Sequence, residues 1–109
     1  MSADRLESLR AFLLEDPDDP FIRFALGSEL SNRGQFEDAL AIFSDLVTDA
    51  PDYIGTYYHL GKLLEQMDHV NDAIEIYRTG IDRAGELREH HARAELQSAL
   101  MEAEGFGFE

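Results

Sequence analysis

Laid against itself at an offset of 34 residues, the chain repeats, and that period restricts it to folds built from stacked copies of one unit. Pro17 and Asp18 fall on Pro51 and Asp52; Leu26, Gly27 and Leu30 fall on Leu60, Gly61 and Leu64; Asp38, Ala39 and Ile42 fall on Asp72, Ala73 and Ile76; Ala50 falls on Ala84. Pairs that differ keep their character, as with Phe24 and Tyr58, Leu40 and Ile74, Phe43 and Tyr77, Val47 and Ile81. Within each period apolar residues recur at three and four, which is the spacing of one helical face. Phe21, Phe24, Leu26 and Leu30 mark a helix ending near Gly34, and Phe36, Leu40, Phe43 and Val47 mark a second ending before Pro51. Proline cannot continue a helix, and it biases the residue before it away from helical geometry. Tyr57, Leu60 and Leu64, then Val70, Ile74, Tyr77 and Ile81, repeat the plan. Each period therefore predicts a helical hairpin.

These residues resemble the tetratricopeptide repeat family, a 34-residue helix-turn-helix unit that carries Leu-Gly early in its first helix, then Ala, an aromatic residue and Pro. Leu26-Gly27, Gly34, Ala39, Phe43 and Pro51 supply the pattern in one unit, and Leu60-Gly61, Ala73 and Tyr77 in the other. There are three departures. Arg23 stands where a large residue is usual and Tyr57 fits, Gly80 replaces a small alanine-like residue, and Gly85 replaces the closing proline. A glycine inside a helix costs up to about 1 kcal/mol relative to alanine. A close approach of the neighbouring helix would offset that at Gly27 and Gly61. Ala39 and Ala73 serve the same purpose on the second helices, and Phe43 and Tyr77 are expected to fill the space between hairpins.

Two periods are fewer than the three or so that a stable stack needs, so the ends are expected to add capping helices. Leu6, Leu9, Phe12 and Leu13 lie 34 residues before Leu40, Phe43, Leu46 and Val47, so the N-terminal segment reads as the second half of a truncated repeat, starting at a Ser2 cap. At the other end Leu96 and Leu100 echo Leu60 and Leu64 only if two residues are inserted after Gly85, and Glu95, Gln97, Glu102 and Glu104 give a polar outer face. The expected architecture is all-α, about six helices in one short right-handed superhelical stack of antiparallel hairpins. The expected single domain, 1–109, comprises a half-repeat helix at 1–16, repeats at 17–50 and 51–84, a capping helix at 85–104 and a flexible tail at 105–109.

An apolar content of 44% excludes a wholly disordered acidic chain. The absence of cysteine excludes disulfide scaffolds, thiolate zinc sites and cysteine nucleophiles, and fits a reducing cytoplasm. A formal charge of −14 repels phosphate backbones and anionic lipid, because nucleic-acid binding relies on Lys and Arg displacing counterions. The N-terminus carries acids where a secretion signal needs a basic start, and no apolar run is long enough to span a bilayer. Nucleic acid and membrane are thus not expected partners, and the expected location is cytoplasmic. Lys62 is the one lysine among eight arginines. A salt-rich cytoplasm would favour such a surface, and ordinary acidic proteins share it.

Catalytic constellations are thin. His90 and His91 are adjacent and point about 100° apart on a helix, so they cannot clasp one metal. His59 and His69 have no carboxylate at ligand spacing, and Asp18-Asp19 lies in a Pro-bounded turn where Asp caps the next helix. No catalytic residue, metal or cofactor is expected, and the chain does not read as an enzyme. The resemblance implies instead that the first helices line a concave groove that receives a peptide or helix of a partner protein. By repeat position the groove residues are Phe21, Phe24, Ser28 and Ser31, with Tyr58, Lys62 and Glu65. Helical spacing places 24, 28 and 31 on one face, and likewise 58, 62 and 65; the same spacing suits Phe24 and Tyr58 as core with the rest solvated.

Some family members hold a partner's terminal carboxylate with Lys, Asn and Arg. Phe24, Ser28 and His59 stand at those places, so an EEVD-type tail is not the expected ligand, and Arg93 is expected near Lys62 in a mixed aromatic and polar groove. The alternative is a self-associating structural protein, a homo-oligomer joined through the tail Gly105-Phe106-Gly107-Phe108-Glu109.

Overall fold

The computed structural model describes residues 4–105, so Ser2 and the tail residues Phe106 to Glu109 lie outside the described residues. The described residues form six helices and no strand: α1 (Arg5–Glu15), α2 (Pro20–Asn32), α3 (Phe36–Asp49), α4 (Gly55–Gln66), α5 (Val70–Glu86) and α6 (His90–Ala103). The all-α hairpin class expected from the period is the one observed. The chain forms two compact units, Met1–Ala50 and Pro51–Glu109.

In the first unit α1 begins at an Asp4 cap, whose carboxylate accepts from the Leu6 amide at 3.3 Å and from Arg33 Nη2 at 2.7 Å. The cap therefore sits two residues beyond the Ser2 that the sequence suggested. Leu6 and Leu9 are the buried face of α1, which packs on α2. Asp19 caps α2, accepting from the amides of Phe21 at 2.8 Å and Ile22 at 3.2 Å. Pro20 follows in the first turn, where its missing N–H has no helical partner to lose. Because α2 meets both α1 and α3, it buries Ala25, Leu26, Gly27 and Leu30 around much of its circumference. It ends at Gly34, whose φ of +79° is a backbone state open to glycine, and the Gln35 amide donates back to the Leu30 carbonyl at 2.9 Å.

A Cβ at Gly27 would lie 2.6 Å from Phe43 Cε1, and one at Gly61 only 2.1 Å from Tyr77 Cε1. The aromatic rings thus fill the interior of their own hairpin, where sequence spacing had assigned them to the space between hairpins. Each ring needs a bare backbone directly opposite, and that is why the glycine and the aromatic recur together.

In the second unit α4 packs on α5, α5 on α6, and α4 also reaches α6. Asp68 occupies the place of Gly34 with φ +64°, and the His69 amide closes the same turn onto the Leu64 carbonyl at 2.8 Å. Gly80 is forced: a Cβ there would meet Tyr57 Cβ at 2.6 Å and Leu96 Cδ1 at 3.0 Å. The corresponding places in the first unit are Arg23 and the fully buried Leu46. Lacking the closing proline, α5 continues through Gly85 to Glu86 and ends on Arg88 at φ +60°, with the Glu89 amide donating to the Ala84 carbonyl at 2.9 Å. The shift of Leu96 and Leu100 out of the 34-residue frame follows from this longer helix.

Candidate functional site

Tyr58, Lys62 and Glu65 share one face of α4, as their spacing predicts. The Lys62 ammonium lies 5.6 Å from the Tyr58 ring centroid, 3.8 Å from Glu65 Oε2 and 3.6 Å from Glu102 Oε1 of α6. A cation over a ring face is attracted by the ring quadrupole, and the two carboxylates hold it there. Glu65 is itself anchored, because the Tyr77 hydroxyl of α5 donates to its Oε2. Burial pushes the Tyr77 phenol above its ordinary range, and the Glu65 carboxylate beside it pushes the same way. Tyr77 therefore remains a hydrogen-bond donor at neutral pH and fixes the α4 face from beneath.

Between α4 and α6 lies a cleft of about 200 Å³ lined by Tyr58, Lys62, Glu95, Ser98, Ala99 and Glu102. The α6 contributors recur at three and four from residue 95; of this helical stripe the sequence reading has only Glu95 and Glu102, as part of the polar face of a terminal cap, and gives Ser98 and Ala99 no role. Arg93 does not join Lys62; its guanidinium stands 3.5 Å from where a Gly85 Cβ would be, against α5. Glu102, about two and a half turns further along α6, is the charge that reaches Lys62. The cleft thus offers an aromatic plane, one ammonium and flanking carboxylates, an arrangement suited to holding a mixed polar and apolar segment.

In the first unit the residues 21, 24, 28 and 31 lie on α2. Phe21 is 65% exposed. Phe24 is half-buried, its ring centroid 6.0 Å from that of Phe43 at a 45° tilt, so it contributes to packing as well as to the surface. Ser28 and Ser31 are half-buried, and the Ser28 hydroxyl oxygen is shielded from solvent without a hydrogen-bond partner among the described residues. The histidines serve locally: His69 Nδ1 is 3.6 Å from Asp72, and His91 Nε2 is 3.5 Å from Glu95. Among the described residues no group of three or more His, Asp or Glu side chains could hold a metal ion. No helix among them is long and apolar enough to cross a membrane.

Residues 30–100 match the model of a tetratricopeptide repeat family. A tetratricopeptide repeat domain protein from Salinibacter ruber, solved in solution by NMR, is 48% identical; the match covers 86% of this chain and 93% of that one, with a TM-score of 0.79. Protein BPP2914 from Bordetella parapertussis is 25% identical over 94% of this chain and 89% of its own, with a TM-score of 0.81. The fold also matches the TPR2B domain of yeast Sti1, solved as a complex with pHsp70, at a TM-score of 0.84 and 13% identity over 91% and 79% of the two chains. No curated protein matches the chain.

Proposed function

The chain belongs to the tetratricopeptide repeat family, and from that premise we propose that it is a non-catalytic protein-interaction module whose α4–α6 cleft takes a peptide or helix of a partner protein. The observation that carries the reading is the Tyr58–Lys62 pair, held at the cleft by Glu65, Glu102 and the Tyr77 hydroxyl. A preorganised aromatic and charged surface loses little side-chain freedom when a ligand arrives, and aromatic residues dominate interface energetics. The Sti1 domain supports the reading by analogy of fold, since that protein was solved with a bound partner. Phe21, Phe24, Ser28 and Ser31 offer a second such surface on the first unit. The protein works in the cytoplasm on this reading.

Capture of proteins from the native lysate, quantified by mass spectrometry, tests it. Tyr58→Ala with Lys62→Glu removes the aromatic plane and sets a third carboxylate beside Glu65 and Glu102, so partners retained by the wild type should be lost. Glu75→Lys, at an exposed position of α5, changes charge by the same amount and should retain them. Circular dichroism establishes first that all three proteins are equally helical. Loss of the partners in Glu75→Lys, with retention in the double variant, would move the site to another face.

A further inference from the structure

A second recess lies in the first unit, away from the α2 face just described. Arg10, Leu13 and Leu14 of α1, Pro17 of the turn and Leu26 of α2 line a hollow of about 570 Å³. That volume falls within the range of about 300–1,000 Å³ typical of ligand pockets. Leu14 is 85% exposed, so a leucine that a folded domain has reason to bury stands at its rim. Arg10 is the one charged residue of the lining. Among the described residues it forms no ion pair, a state it shares with Arg88 and Arg93 of the second unit, whereas Arg5, Arg23, Arg33, Arg78 and Arg83 each hold a carboxylate. In a chain where acids outnumber bases by 23 to 9, an arginine left unpaired beside an apolar hollow calls for an occupant that is apolar and carries an acid.

The chain itself contains such a segment. Beyond Gly105 follow Phe106, Gly107, Phe108 and Glu109, two aromatic side chains with an acid directly after them. Rings supply apolar cover for the half-buried Leu13 and the exposed Leu14 at the mouth of the hollow, above the buried Leu26. We propose that the α1–α2 hollow receives the Phe106–Glu109 segment of a second copy of this chain, the two rings filling the recess and Glu109 pairing with Arg10. Each copy then carries one hollow and one insert, and association runs from the C-terminal segment of one copy to the first unit of the next.

Sedimentation equilibrium of the full chain, over about 1 µM to about 1 mM, reads the association directly. The wild type should pass from monomer to dimer or longer species with concentration. Phe106→Ser with Phe108→Ser, which empties the insert, and Leu14→Glu, which places a charge at an already exposed rim, should each weaken self-association by at least about 10-fold. Neither touches a buried position of the described fold. Mixing the two variants should restore a heterodimer, since one supplies an intact hollow and the other an intact insert. Arg10→Glu should weaken association, and adding Glu109→Arg to it should recover the loss. A wild type that stays monomeric throughout overturns the proposal, as does association that survives the tail variant unchanged. Association sensitive to Leu14→Glu alone assigns the hollow to another occupant and overturns it equally, and failure of the charge exchange removes the Arg10–Glu109 contact.

Discussion

Gly61→Ala adds one methyl group where the hairpin interior has no room for it. The new Cβ would sit 2.1 Å from Tyr77 Cε1, 2.5 Å from Cζ and 2.7 Å from Cδ1, all well inside an ordinary contact of 3.4 Å. The ring has no simple retreat: Tyr77 is fully buried, and its hydroxyl is tied to Glu65. Overpacking of a well-filled core costs roughly 1–3 kcal/mol, and a tethered ring places this site at about the upper end. Alanine's better helix propensity returns up to about 1 kcal/mol, which leaves a net loss of about 2 kcal/mol. For a domain of this size that is a fall in Tm on the order of 10 °C. Gly85→Ala is the internal control, because its Cβ would find its nearest neighbour at 3.5 Å from Arg93 Nε, an ordinary distance, within the same helical regime. It should gain some of the propensity term, about 0.5–1 kcal/mol. Urea melts followed by circular dichroism at 222 nm compare the pair. If Gly61→Ala matches Gly85→Ala in stability, the glycine–ring contact that organises each hairpin is wrong, and with it the account of why the two residues recur together.

Asp68→Gly should stabilise the fold by about 1 kcal/mol, since a residue at φ +64° carries a strain that glycine lacks, and a thermal melt reads the gain. Thr56 is fully buried with its hydroxyl oxygen unpartnered among the described residues, so Thr56→Val should raise stability by about 1 kcal/mol in urea titration. The Tyr77 phenol titrates above its ordinary pKa of 10.0 in the fold, so the neutral form is favoured there; its contribution is whole below pH 10 and declines as pH rises beyond that value. Urea melts from pH 8 to 11 should show a falling stability that Tyr77→Phe flattens, by about 1.4 kcal/mol per pH unit and group at the steepest. With a formal charge of −14, Tm should rise as NaCl increases from near zero, because salt screens charges over about 10 Å at 0.1 M; a flat profile would mean that the existing ion pairs already offset the repulsion.

The helices were legible because a period of 34 prints each feature twice. Asp19 as a cap, Gly34 as a terminator and the bare backbones at Gly27 and Gly61 all follow from residue chemistry that admits few uses. What escaped was the direction of large side chains. Spacing places Phe43 and Tyr77 on the inner face of the second helix, but a face spans a wide angle, and only the 2.6 Å and 2.1 Å approaches to the glycines tell which neighbour they fill. The α1 cap escaped because Ser2 and Asp4 are both good capping residues, and the 2.7 Å contact between Asp4 and Arg33 joins residues distant in sequence. Of the candidate site, Tyr58, Lys62 and Glu65 were readable from one helix. Glu95, Ser98 and Glu102 were not, because their part depends on α6 lying beside α4.

The departures from the repeat pattern become intelligible when they are taken in pairs. Tyr57 has a large ring where the first unit has Arg23, and Gly80 has no side chain where the first unit has Leu46; the base of the tyrosine side chain rests against the bare backbone, with Tyr57 Cβ 2.6 Å and the ring's Cγ 2.8 Å from the missing Cβ. Volume was moved from the second helix to the first. Charge moved with it: Arg23 reaches Asp49 at 3.0 Å, whereas in the second unit the place of Asp49 holds Arg83, which pairs with Asp52 at 3.3 Å. The Tyr57 hydroxyl meanwhile donates to the Pro51 carbonyl at 2.7 Å and ties α4 to the turn before it. A single substitution at any of these places would leave either a void or a collision. Their exchange as a set keeps the hairpin full, so Gly80 is the complement of Tyr57 and of Leu96 behind it, and a repeat that drops the alanine-like residue can still hold its three helices together.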